Sequence, residues 1–166
     1  MMFSELEKSL AEQVIAKLIE QGKSIITVES CTGGLVAAAL TSISGSSAAV
    51  YGGFVTYANE AKNQMADVPM SLIENYGAVS EQVARAMAEG ALANNASDIA
   101  ISVTGIAGPT GGTDEKPVGL VHFACATNQG TDHLEMFFDK NMPRNEIRNA
   151  SVKVALELVI ETIDKH

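Results

Sequence analysis

Cysteine is scarce in this sequence: only Cys31 and Cys125 occur in 166 residues. Two such cysteines build neither a disulfide framework nor a CxxC metal grip, which fits a reducing cytosol. Basic residues are outnumbered, with 11 Lys and Arg against 20 Asp and Glu and a formal net charge of −9. A surface that neutralised nucleic-acid phosphates would carry a basic stripe, and none is visible. The same imbalance argues against adsorption to anionic membranes. No apolar stretch approaches the roughly 18 residues of a membrane-spanning helix. The opening MMFSELEKSL lacks the basic end and apolar run of a signal peptide. Repeats, linkers and low-complexity segments are absent too. What remains is a cytoplasmic protein, one domain over 1–166, with a small-molecule ligand rather than nucleic acid or membrane as partner.

What is present suffices for a packed core: 46% of the residues are hydrophobic and 19% charged. The spacing predicts a first helix over 5–21, with Ser4 and Glu7 as a capping box and Gly22 as its stop. Leu6, Leu10, Val14 and Leu18 recur every four residues along it. SIITVES (24–30) reads as a buried strand, and GGLVAAALTSI (33–43) as a helix apolar enough to be buried on most sides. AVYGGFVTYA (49–58) reads as a second strand, with Gly52 and Gly53 marking a bulge or a close backbone approach. One or two short helical turns are expected in the polar segment 59–77. A helix over 80–95 has Ser80 as its N-cap and Val83, Met87 and Ala91 on one face, and 98–105 is a buried strand. Strands at 118–127 and 132–138 flank NQG and should pair antiparallel. A last helix over 143–163 starts at Pro143 and buries Ile147, Val154 and Leu158. Helices alternating with short apolar strands imply an α/β fold, a three-layer α/β/α sandwich around a mostly parallel sheet of about five strands.

Ligands of open α/β sheets bind beyond the carboxyl ends of the strands. Three polar clusters fall at such ends: ESCTGG, TYANEAK and TGIAGPTGG. In the first, Gly33 and Gly34 open a helix whose N–H groups favour an anion, and Ser30 and Thr32 can donate to it. Ser30 can equally be a nucleophile, or the whole segment a glycine-containing turn. Cys31 is a second nucleophile candidate, without a histidine partner.

Serine needs a base beside it, and His122, His133 and His166 are poorly placed for that role. Lys62, desolvated in a cleft, can serve instead, with Tyr57 holding it or relaying a proton; a solvated surface lysine is the alternative. TGIAGPTGG lets backbone N–H groups approach a phosphate or carbonyl oxygen, or is simply a flexible turn. It lacks the Lys–Ser/Thr pair of a P-loop, which disfavours a nucleotide triphosphatase. Arg144 and Arg148, four apart near a helix start, oppose the helix dipole and suit a phosphate or carboxylate, unless they are simply exposed. Glu60, Asp67, Asp114 and Glu115 have no metal-ligand spacing, so no metal or cofactor is expected.

Taken together, ESCTGGLVAAAL, YGGFVTYANEAK, GAVSEQVARAMAEGA, SVTGIAGPTGG and PRNEIR resemble the C-terminal domain of the CinA (competence/damage-inducible) family. Full-length relatives carry a further N-terminal domain, so the resemblance is to the stand-alone form. It implies one antiparallel strand in the sheet, a homodimer, and deamidation of nicotinamide mononucleotide to nicotinate mononucleotide and ammonia. By resemblance Ser30 is the nucleophile, Lys62 its base and Tyr57 their neighbour, while Thr104 and Arg144 belong to the substrate site. Cys31, Thr32, Gly33 and Gly34, with Gly105, Ala107 and Gly108 of the glycine-rich loop, are then the backbone donors for oxyanion or phosphate. The sequence departs from many relatives at Ala58 and at Met142-Pro143, the latter beside Arg144. A non-catalytic nucleotide-binding module, an interaction partner with a decayed site and a hydrolase of another amide are the alternatives.

Overall fold

The computed structural model describes residues 2–166. Its sheet comprises β1 (Ile25–Glu29), β2 (Val50–Val55), β3 (Ile99–Gly105), β4 (Leu120–Thr127) and β5 (Gly130–Phe137), ordered β2-β1-β3-β4-β5. Pairings of β1 with β2 and with β3 are parallel; β4 is antiparallel to both β3 and β5. The sheet is thus mixed but mostly parallel, with β4 alone reversed, as the resemblance implied. The β4–β5 hairpin turns through Asn128 and Gln129, where NQG placed it.

Helices cover both faces. One face buries Ile25, Ile101, Val103, Val121 and Phe123 against α1 (Glu5–Gln21), α2 (Leu35–Thr41) and α6 (Arg144–Lys165). The other presents Ile26, Val28, Ala100, Ala124 and Ala126 to α3 (Asn59–Ala66), α4 (Met70–Tyr76) and α5 (Glu81–Asn94). Alanines at three of those positions bring the helices close to the sheet. The closeness continues between helices: a Cβ on Gly90 of α5 would run into the Ala66 carbonyl of α3. No helix among the described residues is long and apolar enough to cross a membrane.

Local sequence signals explain most boundaries. Ser4 and Glu7 form the expected capping box, and Gly22 closes α1 with a left-handed φ of 63°. Leu6 departs from the predicted stripe: it is 53% exposed, and Ala11 and Ile15 complete the buried face instead. The second helix is shorter than 33–43 and buries only Val36, Ala39 and Leu40; the two glycines, both at positive φ, form a turn before it. The Tyr51 position is the bulge in β2, where Ile25 pairs with Val50 and Ile26 with Gly52. Gly53 is the close approach, since a Cβ there would overlap Thr27 Oγ1. β2 ends at Val55, three residues earlier than its composition suggested. Pro143 is the N-cap of α6, so Arg144 is the first helical residue.

Strand periodicity sets up the site. Side chains of β1 alternate, so Thr27 and Glu29 lie on the α2 side while Ile26 and Val28 lie on the α3–α5 side. Ser30, next in phase, continues toward α3.

Candidate active site

Glu29 and Ser30 leave the same strand end in opposite directions and meet different partners. The Glu29 carboxylate, 1% exposed, accepts from Thr32 Oγ1 at 2.7 Å, from Val36 N at 2.8 Å and from Ala37 N at 3.0 Å. It therefore satisfies the orphan donors at the start of α2. Ser30 N donates to Val103 O across to β3 at 2.9 Å, and Gly33 N donates back to Ser30 O at 3.0 Å. Both glycines of the turn have positive φ, 58° at Gly33 and 98° at Gly34, which few side-chain-bearing residues tolerate.

Lys62 reaches Ser30 from the first turns of α3. Its Nζ lies 3.0 Å from Ser30 Oγ and donates to Thr56 O at 2.8 Å and to Tyr57 O at 3.3 Å. The residue is 1% exposed, and burial holds its pKa below the ordinary lysine range. Two carbonyls fix two of its N–H bonds, so in the neutral amine the remaining tetrahedral direction, the lone pair, faces the serine hydroxyl. The neighbouring Cys31 thiol is pushed up to about 12, chiefly by burial, so it stays protonated where Ser30 and Lys62 face each other.

These groups floor a cavity of about 270 Å³ at the carboxyl edge of the sheet. Its walls come from all three predicted clusters: Ser30 and Cys31 after β1, Tyr57 and Lys62 after β2, Thr104 to Gly108 at and beyond the end of β3, and Arg144 from α6. With this fold and site, residues 7–163 match the family model of the CinA C-terminal domain. The chain belongs to the CinA C-terminal domain family. It is 48% identical over 157 residues to a CinA-like protein of Synechococcus sp. (strain RCC307), covering 95% of this chain and 38% of that protein. It thus spans well under half the length of that curated relative. Among solved structures it resembles the competence/damage-inducible protein CihA of Agrobacterium tumefaciens, with TM-score 0.93, 48% identity and 96% of each chain covered. The competence damage-inducible protein A of Klebsiella pneumoniae subsp. pneumoniae MGH 78578 aligns with TM-score 0.90 at 35% identity, covering 95% of this chain and 97% of that one.

In this CinA C-terminal domain the rim of the cavity is held by an arginine bridge. Arg144 donates through one guanidinium nitrogen to Gly108 O at 2.7 Å and through the other to Tyr57 Oη at 2.9 Å. The Tyr57 side chain is 59% exposed at the mouth. Its hydrogen bond to Lys62 runs through the backbone carbonyl, while the phenol oxygen accepts from Arg144 instead. Thr104, almost fully buried, donates its hydroxyl to Ala78 O at 2.8 Å and lines the same cavity as Lys62. Gly105 packs against β4, where a Cβ would crowd Val121 and the Leu120 carbonyl, and Ala107 and Gly108 form the loop wall.

Thr32, Gly33 and Gly34 build the turn without lining the cavity. The expected anion site at the start of α2 is filled by Glu29, whose carboxylate would repel a phosphate there. Arg148 does not reach outward either: its Nε donates to Cys31 O at 3.1 Å and its second guanidinium nitrogen to Thr32 O at 3.2 Å. The composition of ESCTGG assigns Glu29 no role; the period-2 phase of β1, which sends it toward α2, is the signal for it. His122 and His133 stack on each other across the β4–β5 hairpin with Nδ1 and Nε2 2.9 Å apart, outside the cavity that holds Ser30. No group of three or more His, Cys, Asp or Glu side chains among the described residues is arranged to hold a metal ion.

Proposed function

We propose that this CinA-family chain is a serine amidohydrolase that deamidates nicotinamide mononucleotide, with Ser30 as nucleophile and Lys62 as general base. The observation that carries the reading is the buried 3.0 Å approach of Lys62 Nζ to Ser30 Oγ. Lys62 in its neutral form takes the hydroxyl proton as Ser30 Oγ attacks the carboxamide carbon. The carbonyl oxygen becomes an oxyanion, and the proton passes from Lys62 to the departing nitrogen, which leaves as ammonia. Water, deprotonated by the same lysine, then hydrolyses the acyl-enzyme to the carboxylate and frees Ser30.

Backbone donors are available for the oxyanion. The turn commits the N–H groups of Ser30, Gly33, Leu35, Val36 and Ala37 to internal acceptors and sets the Cys31 N–H against its own thiol, while the Thr32 N–H has no such acceptor. Such donors contribute about 3 kcal/mol each to transition-state stabilisation. With α2 closed by Glu29, the substrate phosphate goes to the opposite wall, where Arg144 and the loop from Thr104 to Gly111 supply a cation and N–H groups. Nicotinamide mononucleotide is the substrate that the resemblance implies; the dyad by itself specifies a carbonyl electrophile.

The test is ammonia release from nicotinamide mononucleotide, the dinucleotide and free nicotinamide. Turnover of the mononucleotide, lost in Lys62→Met, is expected. Preferential turnover of another amide would redirect the substrate assignment, and tight mononucleotide binding without ammonia release would make the domain a binding module.

A further inference from the structure

A buried carboxylate and a half-buried guanidinium outside the reacting pair grip the serine turn from the α2–α6 side. Glu29 holds N–H groups of α2 and the Thr32 hydroxyl, and Arg148 holds the Cys31 and Thr32 carbonyls. Across a trans peptide the C=O of one residue and the N–H of the next point in opposite directions. The only cis bond among the described residues is Gly108-Pro109, so the Cys31–Thr32 and Thr32–Gly33 bonds are trans. A Cys31 carbonyl aimed at Arg148 therefore aims Thr32 N–H away from α6. The next peptide verifies the rule: Thr32 O faces Arg148, and Gly33 N–H points away, onto Ser30 O. Away from α6 is the α3 side, where Ser30 Oγ meets Lys62.

On the reading that Ser30 is the nucleophile, we infer that Glu29 and Arg148 are positioning residues: they fix the Cys31–Thr32 peptide so that the Thr32 N–H, just beneath the cavity surface that Cys31 lines, is held toward the developing oxyanion. Arg148 is then spared for the backbone, and substrate binding is left to Arg144 and the glycine-rich loop. A fixed peptide has no reorganisation to undergo as charge develops, which is where oxyanion donors gain their effect. Thr32 Oγ1, bonded to Glu29, ties the two grips into one unit.

Arg148→Met, Arg148→Lys and Glu29→Gln test this by kcat, KM and thermal unfolding. Arg148→Met is expected to lower kcat roughly a hundredfold with KM within about threefold, the signature of a contact made only in the transition state. Arg148→Lys, which can still cover one carbonyl and is the mildest change to the fold, should recover part of that loss. Glu29→Gln, whose amide sets a donor against α2's own N–H groups, should move kcat in the same direction. If KM rises and kcat holds, Arg148 anchors substrate and the inference is wrong; folded variants with wild-type kcat also overturn it. Labelling of Ser30 by a fluorophosphonate, read by mass, covers a failure of the substrate assignment, because its phosphoryl oxygen needs the same donors whatever the natural amide. Slower labelling of Arg148→Met than of wild type supports the inference, and equal rates contradict it.

Discussion

Lys62 Nζ lies 3.0 Å from Ser30 Oγ although 32 residues separate them, and neither side chain is open to bulk water. A strand end supplies one and a short helix on the far side of the next strand supplies the other. The lysine is held by two carbonyls and no carboxylate, so nothing in its contacts anchors the charged form as an ion pair would.

Replacing Lys62 by methionine tests the base with little change of shape. Ammonia release should fall by about 10²- to 10⁴-fold, the usual contribution of a general base. Losing a buried amine relieves desolvation while leaving two carbonyls without a donor, so the effects oppose. The melting temperature should stay within about 4 °C of wild type, the shift that ~1 kcal/mol gives in a chain of this size. A variant that unfolds would assign Lys62 a structural role.

The pH profile follows from the direction of the Lys62 shift. Burial lowers its pKa from the ordinary 10.5, and the active form is neutral. Activity should rise with pH through a single limb placed below that value. Cys31, at about 12, adds no thiolate limb in the working range. Profiles of kcat/KM for wild type check this; a limb at or above the ordinary lysine value would contradict a desolvated base.

The rim predicts an asymmetry between two bonded residues. Arg144→Ala removes a cation that spans Gly108 O and Tyr57 Oη, and should raise KM roughly ten- to a hundredfold, the scale of a charged hydrogen bond. Tyr57→Phe deletes only the phenol oxygen, which does not touch Lys62, and should cost less than about tenfold in kcat/KM. A collapse of kcat in Tyr57→Phe would assign the phenol the proton-relay role.

Gly90→Ala gives a stability prediction with an unusual sign. In an exposed helix the change would stabilise by about 1 kcal/mol. Here the new Cβ meets the Ala66 carbonyl at the end of α3, the helix that carries Lys62. Thermal unfolding should report a loss of about 1–3 kcal/mol, as for overpacked cores, together with a lower kcat.

The histidine pair predicts an acid-sensitive fold. Desolvation lowers the pKa of both His122 and His133 from the ordinary 6.5. Glu81 and Glu135 face the pair and oppose the shift, while Arg85 and Lys116 reinforce it. A base with a depressed folded pKa is bound more tightly by protons when unfolded. Its contribution is therefore fully present above pH 6.5 and is lost as pH falls through the lower folded values. Melting temperature against pH should drop below that point, and His133→Gln should flatten the drop.

Much of this architecture could be read from the chain because local signals agreed with one another. Caps at Ser4 and Ser80, the NQG hairpin and the alternation of apolar strands with helices each pointed to the same layered sheet. Three polar clusters at strand ends converged on one cavity for the reason that parallel strands put their carboxyl ends on one edge. What stayed hidden depended on contacts between distant segments. Glu29 looks like one more polar residue of a loop until α2 docks over it, and Arg148 looks like a ligand-binding cation until the turn's carbonyls meet it. Tyr57 sits beside Lys62 in the chain, yet its ring turns to a residue 87 positions away. The apolar run after Gly34 reads as buried on most sides, yet only Val36, Ala39 and Leu40 of α2 are buried, because composition does not tell which helix faces find a neighbour.

Ammonia release from nicotinamide mononucleotide by wild type and by Ser30→Ala tests the central claim most directly. The account predicts turnover in the wild type and its near-complete loss, by at least about 10³-fold, in a Ser30→Ala protein with an unchanged melting temperature. A folded Ser30→Ala protein that releases ammonia at the wild-type rate would falsify it.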